Sequence, residues 1–166
     1  MKTTIAKLLP QYHQESYHWA LLLCSHDREL AHDVLQTAYE KALKHGQQFE
    51  GQARFKTWLF AIIKNTATDA RRAHARQQMR LVAEVPDLPA PNNQQAEGQA
   101  LMLTLLQQLS PMQRQTLQLC FYHGHTLEAC AEVMGISIGS VRTHYARGKE
   151  RLKALIEQHQ LKDQFG

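Results

Sequence analysis

The sequence predicts an all-α protein made of two small helical domains joined by a proline-rich linker. Three observations predict it. Apolar residues recur at helical spacing through nearly all of the 166 residues. Glycine and proline, 8 and 5 in number, are too few for the many turns of an all-β fold. Three of the prolines, Pro86, Pro89 and Pro91, fall in one polar stretch from Glu84 to Gln95 that cannot continue a helix. That stretch sets the boundaries: a first domain over residues 1–81, a semi-extended linker over 82–95 and a second domain over 96–166.

The elements follow in order. Leu8, Leu9, Tyr12, Trp19, Leu22 and Leu23 make a loose first helix, with Pro10 in its first turn or at a break. From Asp27 to Gly46 the apolar positions are Leu30, Ala31, Val34, Leu35, Ala38, Tyr39, Ala42 and Leu43, one broad stripe on one face. Asp27 is placed to cap this helix and Gly46 to stop it. Phe55, Trp58, Leu59, Ile62, Ile63 and Thr66 repeat the stepping in a third helix that runs to about residue 80. In the second domain a helix spans Ala96 to Gln108. Ser110-Pro111 starts the next, which ends near His123-Gly124. Thr126 caps a third that stops at Gly135, and Ser137 caps a fourth that continues to about residue 158.

Composition excludes several classes. The longest apolar run, Trp19 to Cys24, is far shorter than the ~18 residues of a membrane span. The first residues show no apolar signal core, so no secretory signal is expected. Cys24, Cys120 and Cys130 are odd in number and form no CxxC, which predicts a reducing, cytoplasmic setting. Cys120, His123, His125 and Cys130 could be read as a metal set, but the expected reading is buried thiols and surface histidines, with no metal. No Walker A, GxGxxG, HExxH or GxSxG sequence is present, so no enzyme activity, cofactor or small-molecule substrate is expected.

Charge is informative by segment. The formal total is +4, but residues 53–81 hold 7 basic and 1 acidic side chains, and residues 137–155 hold 5 and 1. Between them, residues 82–100 hold 3 acidic side chains and no basic one. Two basic blocks across an acidic stretch suggest two contacts with a polyanion.

The second block has a defined shape. A short helix from residue 127 to 134, a tight turn at Gly135-Ile136-Ser137 and a longer helix give a helix-turn-helix. Ala131 lets the helices approach, Gly135 supplies the positive φ, and Ile136, Ile138 and Val141 bury the second helix. Its exposed positions then read Arg142, Thr143, His144, Arg147 and Lys149, groups that bind phosphate, with arginine also able to pair with guanine. The first block places a loop over residues 47–53 ahead of a helix carrying Arg54, Lys56, Lys64, Asn65, Arg71 and Arg72. Basic groups there can track an unpaired strand while loop residues hold an extruded base. Phe55 and Trp58 lie on the apolar stripe and are assigned to the core; Phe49 is the aromatic left for an exposed role or for a loop anchor.

These segments resemble the extracytoplasmic function (ECF) group of bacterial sigma factors, in the sigma-70 family. Ala31-His32-Asp33-Val34-Leu35-Gln36-Thr37-Ala38-Tyr39 is similar to the Ala-Glu-Asp-Leu-x-Gln-Glu-x-Phe segment of that family. Phe49-x-Gly51, Phe55-Lys56-Thr57-Trp58-Leu59 and Ile62-Ile63-Lys64-Asn65 resemble its promoter-melting segment. Leu109-Ser110-Pro111-Met112-Gln113-Arg114 and Gly135 to Thr143 resemble its second-domain helices. The resemblance implies a sigma-2-like and a sigma-4-like domain, and a transcription initiation factor that directs core RNA polymerase to specific promoters. It implies docking on the β′ clamp by Asp33, Leu35, Gln36, Tyr39 and Leu43, and on the β flap by the second domain. It implies −10 recognition and opening by Phe49, Gly51, Arg54, Lys56, Lys64, Asn65, Arg71 and Arg72. It implies −35 recognition by Arg142, Thr143, His144, Ala146, Arg147 and Lys149, and an anti-sigma factor as a further partner. The family pattern carries acids where this chain has Leu30, His32 and Thr37. That deficit makes Thr37 a candidate phosphorylation site. The alternative reading is a LuxR-type helix-turn-helix regulator, whose usual βα receiver residues 1–80 do not show.

Overall fold

A computed structural model describes residues 2–46, 49, 54–78 and 94–165. Among them all regular structure is helical. In chain order the helices are α1 (Lys2–Leu8), a 3-10 turn (Leu9–Tyr12), α2 (His13–Leu23), α3 (Arg28–Lys44) and α4 (Phe55–Gln78). They are followed by α5 (Gln94–Gln107), α6 (Pro111–Leu117), a π-helical turn (Gln118–Tyr122), α7 (Leu127–Met134) and α8 (Ile138–Phe165). Two compact units result, one of Met1–Ala83 with Glu128–Ile136 and one of Glu84–Leu127 with Ser137–Gly166. The proline segment of the predicted linker lies outside the described residues, and α5 starts two residues earlier than expected.

In the first unit α2, α3 and α4 pack on one another, with α1 against α3. Pro10 does break the first helix: it sits in the first positions of the 3-10 turn, where its fixed φ fits and its missing N–H costs nothing. Trp19 joins α2 to α4. Its ring is fully buried and lies parallel to Phe60 at 5.8 Å, and its Nε1–H donates to the Phe60 carbonyl at 3.2 Å.

The turn from α2 to α3 places two consecutive non-glycine residues in the left-handed region, Ser25 at φ 53 and His26 at φ 64. That conformation costs roughly 1–2 kcal/mol per residue. It is held by the His26 N–H donating to the Leu21 carbonyl at 2.8 Å, and it delivers Asp27 to its cap position. The Asp27 carboxylate accepts from the Leu30 N–H at 3.1 Å and starts α3. Gly46 follows the end of α3 as expected, but not for its freedom at positive φ. A Cβ there would lie 2.9 Å from Ile5 Cγ1, so the glycine admits α1.

In the second unit Ser110 and Gln113 form a reciprocal capping box at the start of α6, each bond 3.3 Å. The chain then widens into the π-helical turn, closed by the His123 N–H on the Gln118 carbonyl at 3.2 Å, and leaves through Gly124 at φ 69. Periodicity does not report such a slip in register. Leu105, Leu106, Leu109, Leu117 and Leu155 form the core. Gly148 seats α8 on α6: a Cβ there would meet Leu117 Cδ1 at 3.2 Å and Gln113 Cβ at 3.3 Å. α8 continues to Phe165 rather than stopping near 158, helped by an exposed His159–Asp163 pair at i,i+4 spacing and 3.3 Å.

Candidate functional site

The turn of the helix-turn-helix is built as its residues require. Gly135 has φ 65, and the N–H groups of Gly135 and Ile136 both donate to the Ala131 carbonyl, at 2.9 and 3.2 Å. The Ser137 hydroxyl accepts from the Ser140 N–H at 3.1 Å and starts α8. Val141 is fully buried, while Ile136 and Ile138 are half-buried.

On α8, Arg142, Thr143, Ala146, Arg147 and Lys149 are exposed. His144 is half-buried, which corrects its assignment to the exposed face. Two of the exposed groups have local partners. The Thr143 hydroxyl donates to the Gly139 carbonyl at 3.0 Å, and Lys149 Nζ lies 5.0 Å from the centre of the Tyr145 ring. Tyr145 in turn stacks on Phe121 at 5.9 Å and 16°. Arg142 and Arg147, five residues apart, are long, exposed cations on this face.

In the first unit Arg54, Asn65, Arg71 and Arg72 are exposed along α4 and its lead-in. Lys56 is not a free cation: its Nζ pairs with the Glu15 carboxylate at 2.9 Å and lies 5.7 Å over the Phe60 ring. It ties α4 to α2. Lys64 is half-buried, and burial, with Arg71 next in effect, holds its ammonium pKa below the ordinary value. Phe49 is half-buried rather than splayed out. Its ring meets Phe55 edge-on at 5.7 Å and Trp58 at 5.3 Å, so it is the loop anchor. Phe55 is in the core, and Trp58 is half-buried. Gly51 lies outside the described residues.

Asn65 lines a shallow cleft of about 190 Å³ between α3 and α4, with Lys41, His45, Trp58, Ile62 and Thr66. Lys41 Nζ donates to the Thr66 hydroxyl at 3.3 Å. Sequence reading missed Lys41 and His45, because they belong to the end of one helix and the cleft needs a second. A basic residue in the last turn of α3, Lys41, was the available signal.

On α3, Asp33, Gln36, Thr37 and Leu43 are exposed. Leu35 is 2% exposed and belongs to the core, so it cannot touch a partner. Tyr39 is half-buried: its hydroxyl hydrogen-bonds His13 Nδ1 at 2.9 Å, and burial raises its phenol pKa. His123 and His125 are buried, not on the surface as expected; Cys130 is buried and Cys120 half-buried. Among the described residues no group of three or more His, Cys, Asp or Glu is placed to hold a metal ion. Nor is any helix among them long and apolar enough to cross a membrane.

A helix-turn-helix with exposed arginines, and a second basic helix with an aromatic-walled cleft, are features of the class of DNA-binding transcription factors. The profile of Sigma-70 region 2 matches residues 8–77, and that of Sigma-70, region 4 matches residues 99–152. The chain is 32% identical over 136 residues to RNA polymerase sigma factor CarQ of Myxococcus xanthus, covering 80% of this chain and 78% of that one. It is 28% identical over 167 residues to ECF RNA polymerase sigma factor SigX of Bacillus subtilis, covering 95% and 86%. Its fold is similar to that of the sigma factor RpoE bound to the anti-sigma factor NepR from Bartonella quintana, with a TM-score of 0.75, 24% identity and coverage of 92% and 96%. The chain belongs to the ECF group of the sigma-70 family of RNA polymerase sigma factors. It directs RNA polymerase to promoters, and the LuxR-type alternative is not favoured.

Proposed function

We infer that α8 reads the −35 element through Arg142 and Arg147, and that α4 recognises and opens the −10 element through Arg54, Asn65, Lys64, Arg71 and Arg72. The α3 face of Asp33, Gln36, Tyr39 and Leu43 docks on the β′ clamp of core polymerase. The observation that carries this reading is the exposure of two separate cationic helix faces, each on a different unit. Each alone gives modest, salt-sensitive affinity; held together on polymerase, they act at high effective concentration. Phe121 and Tyr122, 66% and 56% exposed, leave an aromatic surface on the second unit for the β flap. The chain works in the cytoplasm as a binding protein without a catalytic role. RpoE and CnrH, whose folds this chain shares, are bound by NepR and by the cytosolic domain of CnrY, and a protein antagonist of that kind is the partner we assign here.

Run-off transcription with core polymerase on a promoter library tests the reading as a whole; no transcript from any promoter would sink it. Within it, Asn65→Ala is expected to leave holoenzyme binding to duplex promoter nearly unchanged and to slow opening. Permanganate reactivity of unpaired thymines measures this, and unchanged opening at saturating holoenzyme removes Asn65 from the role. The charge deficit on α3 gives another expectation. His32→Glu and Thr37→Glu each add a carboxylate on an exposed site and should raise polymerase affinity a few-fold, about 0.2–1 kcal/mol each, most at low salt. A phosphate on Thr37 would act in the same direction with about −1.5 to −2 charges. If both variants bind as wild type while Asp33→Ala abolishes binding, the deficit has no consequence.

A further inference from the structure

The seam between α2 and α3 is dense in histidine. His13 Nδ1 and the Tyr39 hydroxyl are 2.9 Å apart, and their rings 5.9 Å. Further along the seam the His32 ring lies on Tyr17 at 5.1 Å and 33°, and His18 flanks Tyr17 at 6.3 Å. His13 and His32 are exposed, and Tyr17, His18 and Tyr39 are half-buried. His32, Gln36 and Tyr39 are spaced four and three residues apart, so they share one side of α3. His13 thus meets Tyr39, and His32 precedes Asp33 on the side of α3 that carries Gln36 and Tyr39. The exposed carboxylates of α3 are Glu29, Asp33 and Glu40.

We propose that this face is a proton-responsive docking surface, in which charging His13, His18 and His32 offsets the acids of α3 and weakens its hold on core polymerase. The proposal rests on the assignment of α3 as the polymerase contact. Histidine is the side chain whose ordinary titration falls between about pH 5 and 8. Both protonation states suit the folded seam. Neutral His13 accepts the Tyr39 O–H, and charged His13 donates to the same oxygen. Charged His32 lies against the Tyr17 ring as a cation on a π face. Acidification thus changes the charge of the face without unfolding it. The other charged groups on the packed elements are Lys7 on α1, the Glu15–Lys56 pair between α2 and α4, and Arg28, Lys41 and Lys44 on α3. His26 and His45 lie at the two ends of α3, away from the strip.

The sign follows. Carboxylates as a class are charged over this range and imidazoles as a class gain a proton as pH falls, so affinity for a basic partner surface is expected to fall with pH. The test is the dissociation constant of the full-length protein and core RNA polymerase at about pH 8 and about pH 6, at fixed ionic strength. Wild type is compared with His13→Gln/His18→Gln/His32→Gln. Titration of polymerase itself contributes to both, so the difference in slope is the signal. Wild type should lose about tenfold more affinity than the triple variant over this range, and the difference should shrink at high salt. Equal slopes overturn the proposal. If the triple variant loses its helical circular dichroism, the single variants at the exposed positions, His13→Gln and His32→Gln, carry the test, each expected to recover a few-fold. Absence of binding by wild type at about pH 8 removes the docking assignment itself, and the proposal with it.

Discussion

Arg142→Ala and Arg147→Ala are each expected to weaken promoter recognition by about 1–3 kcal/mol, roughly five- to 150-fold, while core polymerase binding stays intact. Both side chains are exposed on α8, a helix started by Ser137 and seated on α6 at Gly148. The loss should be base-specific. A phosphate contact lowers affinity for all sequences alike and reduces the salt slope by about one. A lost base contact instead relaxes preference at one −35 position. Competition between promoters mutated through the −35 element separates the two. Lys149→Ala should matter less, because its ammonium already rests on the Tyr145 ring. A Lys149 effect equal to that of Arg147, or loss of polymerase binding in a pull-down by either arginine variant, would count against the assignment.

How far these sites were legible depended on how local their causes are. Caps and turns are local: Asp27, Ser110, Gly135 and Ser137 were found because each side chain or φ angle serves the backbone within a few residues. Faces of a single helix were legible in outline, since exposure follows spacing, and Arg142, Arg147, Asn65 and Asp33 stand where their spacing puts them. The misses are non-local. Leu35 sits on the boundary of the α3 stripe, and only packing by α2 and α4 decides that it is buried. Lys56 lost its freedom to Glu15, 41 residues earlier in sequence. Gly46 had the right residue type for a helix stop, yet its reason is Ile5 on another helix. The π-helical turn keeps helical hydrophobicity while rotating Phe121 and Tyr122 outward, a change in register that composition cannot carry.

The largest effect on stability is expected at Trp19. Its ring is 0% exposed, packs parallel to Phe60 and donates Nε1–H to the Phe60 carbonyl, so one side chain fixes the approach of α2 to α4. Trp19→Ala removes that wedge and leaves a cavity between close-packed helices, a loss of about 3–5 kcal/mol. Against a domain stability of about 5–15 kcal/mol this is a large share. The midpoint of thermal unfolding of the first unit should fall by at least about 12 °C. Trp19→Phe keeps the stacked ring and gives up the hydrogen bond and part of the volume, so its cost should be well under half of that, about 1–2 kcal/mol. The functional consequence separates positioning from chemistry. α4 carries Asn65 and the Trp58 wall of the cleft, so losing the α2 contact should abolish promoter opening near the lowered midpoint and restore it on cooling. Asn65→Ala should behave in the opposite way, impairing opening at every temperature with no change in the midpoint. Circular dichroism melts paired with permanganate footprints at two temperatures decide between them. A Trp19→Ala protein that melts with wild type would show that α2 and α4 are held by other contacts, and the wedge argument would fail.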